Sequence, residues 1–125
     1  MSESLSRFKV KFIVEGVGEA EGELNRIYAS RTVEALRDAL PISSVVNIWK
    51  GKEVYFPVNI KRGFEKPTKK VDKGDLAYWS QGDSLCIFFE EIEPYSQVNI
   101  VGKITSNLEI FEKVKRGSRI KMELI

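Results

Sequence analysis

The stretch GDLAYWSQGDSLCIFF, residues 74–89, holds two Gly-Asp pairs, ends both of its halves in aromatics, and contains the single cysteine of the chain. It reads as strand, turn, strand, with Asp75 and Asp83 beside glycines where a carboxylate accepts local backbone hydrogen bonds. In its second half Leu85, Ile87 and Phe89 share one face, and Cys86 and Phe88 share the other. Both rows are apolar. A sheet with one wet face has a polar alternate row, so the second row here needs cover: a helix, a loop or a ligand. Inside LCIFF, Cys86 reads as a small buried hydrophobe and not as a nucleophile.

Outward from this stretch the same period of two dominates. In RFKVKFIVEG, Phe8, Val10, Phe12 and Val14 fall on one face and Lys9, Lys11 and Glu15 on the other. GEAEGELN continues as the return strand of a hairpin turning at GVG, with Lys11 expected opposite Glu23 and Phe12 opposite Gly22. SSVVNIWKGKEVYFPV reads as a second hairpin turning at Lys50-Gly51-Lys52. If Trp49 pairs with Glu53, then Val46, Ile48, Val54, Phe56 and Val58 share an apolar face. Asn47, Trp49, Glu53 and Tyr55 share the other, a mixture that a packed core would not choose. SRTVEALRDALP switches to helical spacing, with Ser30 expected as the cap and Pro41 as the stop. A short helix is expected in NLEIFEKVKRG, between the strands VNIVGKI and RIKMELI. Many short antiparallel strands with two helices predict one domain, residues 1–125, mainly β, built as a barrel or sandwich.

Composition narrows the chemistry. The 125 residues suffice for a core without disulfide staples, and one cysteine excludes an internal disulfide. There is no histidine, which removes the commonest general base and most zinc sites. No cofactor and no metal is expected, and the Glu90, Glu91 and Glu93 group is not assigned one. A net charge of +2 gives no general pull toward nucleic acid. The segment from Lys61 to Lys73 is the strongest basic cluster, and it reads as a solvated surface loop. Apolar runs are far shorter than a spanning helix needs, and the N-terminus lacks a secretory pattern, so a cytoplasmic location is the expectation.

Three pieces of the sequence resemble a known fold. TVEALRDAL, residues 32–40, is similar to the first helix of cyclophilins, and VNIVGKITSNLEIFEKVKRGS, residues 98–118, looks like their strand ending in VFGKV and the helix after it. WKGKEVYFPV together with GDLAYWSQGDSLCIFF resembles the signatures of a small, atypical cyclophilin-like family of bacteria and archaea. The resemblance implies a closed antiparallel cyclophilin-like β-barrel with two helices covering its ends and a ligand groove on the outer wall. Matching LCIFF through Ser84 to the cyclophilin piece GSQFFI puts Leu85 and Ile87 toward that groove and Cys86 and Phe88 in the barrel. Trp79 joins the groove in the same match.

The expected function is a binding module. Its groove, lined by Trp49, Tyr55, Trp79, Leu85, Ile87 and Phe89, receives a small apolar molecule or a proline-containing peptide, and Asn47 and Glu53 supply orienting polar contacts. The alternative is a weak peptidyl-prolyl isomerase. Active cyclophilins carry an arginine that polarises the prolyl amide, and EVYFPVNI has none; Arg62 is the nearest downstream. No catalytic residue is assigned. Nucleic acid is disfavoured as a partner, no membrane segment is expected, and the oligomeric state is open.

Overall fold

The computed structural model describes residues 6–125. Nine strands follow one another as β1 (Arg7–Val14), β2 (Gly18–Asn25), β3 (Ile42–Val45), β4 (Asn47–Trp49), β5 (Glu53–Pro57), β6 (Asp75–Trp79), β7 (Ser84–Phe88), β8 (Asn99–Ser106) and β9 (Arg119–Leu124). Helix α1 (Ser30–Ala39) lies between β2 and β3, and a 3-10 helix (Leu108–Lys113) lies between β8 and β9. The strands form one antiparallel sheet in the order β3-β9-β1-β2-β8-β6-β7-β5-β4. The first and last strands of that order are consecutive in the chain and separated only by Val46, so the sheet curls into a nearly closed barrel. Val46 is tied through both of its backbone groups to the approach to β9: its N–H donates to the carbonyl of Ser118, and its carbonyl accepts from the N–H of Gly117.

Alternation places the core as expected. Val10, Phe12, Val14, Ala20 and Leu24 of the first hairpin are buried with Val46, Val54, Phe56, Ile120 and Met122. Helix α1 adds Val33 and Leu36, and the 3-10 helix adds Phe111, whose ring meets Phe12 edge to face at 6.2 Å. The register of the first hairpin differs from expectation by two residues: Lys11 pairs with Glu21 and Phe12 with Ala20. The turn is centred one residue earlier than expected, closing between Val14 and Gly18, with Gly16 supplying a positive φ of 78°.

Ser30 does not cap α1. The helix begins with Ala29 as its flanking residue and has no side-chain cap of its own. Glu65, far along the chain, takes that role: its carboxylate accepts the N–H groups of Arg31 at 3.1 Å and Thr32 at 2.9 Å, and the Thr32 hydroxyl at 2.9 Å. Burial raises the Glu65 pKa, but these bonds and the charge of Arg31 outweigh it and hold the carboxyl below its ordinary value. Glu65 belongs to the loop expected to be free and basic. That loop is pinned at several more points. Asp83 accepts the N–H groups of Ile60 and Lys61, Tyr78 accepts that of Arg62, and Asn99 holds Glu65 and Gly63. Asp83 therefore anchors a distant loop in addition to sitting in its own turn.

An aromatic pocket on the outer wall

Cross-strand partners in a sheet share a face, and this rule builds the site. Trp49 pairs with Glu53 across the β4–β5 turn, Tyr55 pairs with Cys86, and Cys86 also pairs with Ala77 on β6. Glu53 and Tyr55 on β5, Cys86 and Phe88 on β7, and Ala77 and Trp79 on β6 consequently form one outward face. Val54, Phe56, Leu76, Tyr78, Leu85 and Ile87 form the inward one. The outward row gets its cover from a loop: Phe88, Cys86 and Ala77 pack beneath Val98, Ile92 and Val71 as a second apolar cluster.

The cover is incomplete, and the gap is a pocket of about 300 Å³. Its walls are Trp49, Tyr55 and Trp79 from the strands and Pro94, Tyr95, Ser96 and Val98 from the covering loop, with Glu53 and Cys86 also lining it. The rings meet at near right angles: Tyr55 to Trp79 at 89° and 5.8 Å, Trp79 to Tyr95 at 76° and 6.0 Å, and Trp49 to Tyr95 at 85° and 6.2 Å. Perpendicular neighbours favour each other through their quadrupoles and also make corners, so the series encloses space. Tyr95 is 71% exposed and forms the rim. Lys50 lies over the Trp49 ring, its Nζ 4.8 Å from the centroid. Gly82 matters to this geometry because a Cβ there would run into the Trp79 ring.

Four polar groups enter an otherwise apolar site. Glu53 is only 6% exposed. Burial drives its pKa from 4.5 up to about 7, and a hydrogen bond with Cys86 opposes that rise in part. Cys86 is raised well above its ordinary value by burial and by the charge and hydrogen bond of Glu53, so its thiol stays protonated at neutral pH. Trp79 Nε1 and Ser96 Oγ are buried and have no hydrogen-bond partner among the described residues. An indole nitrogen can only donate, so Trp79 presents a donor with nothing to receive it.

Four of the residues singled out in the sequence line the pocket together: Trp49, Glu53, Tyr55 and Trp79. Asn47 pairs with Tyr55 in the ladder but is not part of the lining. The expected facing of β7 is reversed. Leu85, Ile87 and Phe89 are in the barrel core, whereas Cys86 and Phe88 face outward. The reason is the ladder itself: Leu85 pairs with Phe56 and Ile87 with Val54, and those partners point inward. Sequence reasoning missed Tyr95, Pro94 and Ser96, although a tyrosine after proline in a turn-rich connector was the signal available. Arg62 is elsewhere, lining a separate hollow with Arg31 and Glu65.

Residues 8–123 match the family described as Cyclophilin-like. The chain belongs to that family. A hypothetical protein of Archaeoglobus fulgidus, known from a solution structure, is 33% identical to this cyclophilin-like chain, with a TM-score of 0.82 and 96% of each chain covered. McbB in complex with tryptophan superposes with a TM-score of 0.76 at 12% identity, over 91% of this chain and 44% of McbB. A Cryptosporidium parvum cyclophilin-type peptidyl-prolyl cis-trans isomerase superposes with a TM-score of 0.63 at 16% identity, over 95% and 98% of the two chains. These last two likenesses show the fold. No curated protein matches the sequence.

Proposed function

We propose that this cyclophilin-like chain is a binding domain for a small molecule, received in the aromatic pocket between the β4–β5 and β6–β7 hairpins. The observation that carries the reading is the pair of buried polar atoms, Trp79 Nε1 and Ser96 Oγ, that find no partner among the described residues and belong to two residues lining an aromatic cavity. Buried polar groups are nearly always hydrogen-bonded, and a ligand polar group in the pocket supplies the missing partner. At about 300 Å³ the cavity is at the small end of ligand sites, which suits a compact molecule better than a length of peptide.

Prolyl isomerisation has less support. The likeness to a cyclophilin-type isomerase is one of fold, and no arginine or lysine lines the pocket among the described residues. Adding small aromatic and amine compounds singly while following the indole N–H resonances of Trp49 and Trp79 tests the proposal. A saturable shift at Trp79 is expected. No shift from any compound, with a proline-containing peptide accelerated toward its cis–trans equilibrium instead, would replace the binding reading with the enzymatic one.

A further inference from the structure

The pocket's chemistry specifies more than size. Glu53 places a carboxyl among Trp49, Tyr55, Trp79 and Tyr95, and no arginine or lysine among the lining residues neutralises it. A buried carboxylate without a cationic partner is costly, and a cation entering the site relieves that cost. Aromatic walls set at right angles add to the attraction, because the faces of the rings carry negative quadrupole density that favours an ammonium group. Trp79 Nε1–H and the Ser96 hydroxyl offer hydrogen bonds that an ammonium cannot accept. The same molecule must therefore carry an acceptor as well.

We propose that the pocket selects a small organic cation, an ammonium compound bearing a carbonyl or similar acceptor, held by the Glu53 carboxylate, the four aromatic rings and the Trp79 indole N–H. This deepens the small-molecule reading and rests on it. Lys50 is consistent with the arrangement: its ammonium already lies over the Trp49 ring, so the indole attracts a cation here. The titratable groups around Glu53 are Tyr55 on its own strand, Cys86 on β7 and Tyr95 on the covering loop, with Lys50 in the adjoining turn. None of the lining partners is basic, and the one like charge placed against a wall ring is the Lys50 ammonium over Trp49.

Two esters of the same shape separate charge from bulk: acetylcholine, with a permanent positive charge, and 3,3-dimethylbutyl acetate, its neutral counterpart. Calorimetric titration at pH 8 is expected to give the cation an advantage of about tenfold or more. Lowering the pH through 7 protonates Glu53, so the cation's affinity falls toward that of the neutral ester and its binding releases protons. Glu53→Gln is expected to cut the advantage severalfold, leaving only the share of the aromatic rings, while retaining the neutral ester. Trp79→Phe, which keeps a ring but loses the donor, is expected to weaken both esters. Equal binding of the two esters at pH 8 overturns the cation assignment and leaves the small-molecule reading intact. Absence of binding by both, while other small compounds still shift the Trp79 indole signal, overturns it in the same way. Absence of any small-molecule response removes both.

Discussion

Replacing Glu53 by glutamine tests the electrostatics of the pocket without any ligand. In the folded chain burial holds this carboxyl at about 7, against 4.5 for an ordinary glutamate. Each pKa unit corresponds to about 1.4 kcal/mol, so ionising Glu53 in the folded state costs up to about 3 kcal/mol more than in the unfolded chain. The folded state binds the proton more tightly. Its stabilising contribution is therefore complete below pH 4.5 and is lost as the pH rises through 7. Glutamine resembles the protonated acid in size and polarity, so wild type and Glu53→Gln should have similar stability at acid pH. By pH 8 the variant should be ahead by up to about 3 kcal/mol, or about 10 °C in Tm for a chain of this length. Urea titrations of both proteins at several pH values measure the difference, which isolates Glu53 from the other carboxylates. A difference that stays constant from acid pH to pH 8 would refute the argument, because it would mean that Glu53 ionises as freely in the fold as out of it.

Three further outcomes follow from neighbouring contacts. Glu65→Ala removes the acceptor for the Arg31 and Thr32 amides, and the loss of this cap should cost about 1–2 kcal/mol in denaturant unfolding; an unchanged midpoint would show that the cap contributes nothing. Gly82→Ala forces the Trp79 ring out of its place, so the Trp79 indole N–H resonance should move and ligand binding should weaken, whereas an unperturbed resonance would contradict the packing. Cys86 should resist a thiol reagent such as iodoacetamide at pH 8 in the folded protein and react once unfolded, since burial and Glu53 both disfavour the thiolate. Rapid labelling of the native chain would count against both features.

Much of this architecture was legible in the sequence because period-two patterning is a local signal. Val46, Ile48, Val54, Phe56 and Val58 alternate with polar or aromatic residues, and the single pairing of Trp49 with Glu53 orients the whole hairpin. The same logic put Trp49, Glu53 and Tyr55 on one outward face. It failed on β7, where both rows are apolar and alternation has no contrast to read. Only the pairing of Leu85 with Phe56 decides which row points in. The rest of the site is non-local. Glu65 reaches α1 across more than thirty residues of chain. Tyr95 comes to the pocket through the path of an irregular loop, about which periodicity is silent.

The bend at Val46 joins the pocket to the lock of the barrel. One continuous run of chain, 42–49, zips to β9 with its first half and to β5 with its second, and the second half ends in Trp49 at the pocket wall. Prying apart the seam would thus also dismantle the wall, and a molecule gripping Trp49 and Glu53 would brace a joint it never touches. Amide protons of β3, on the opposite flank of the bend, would then exchange more slowly with solvent when the pocket is filled.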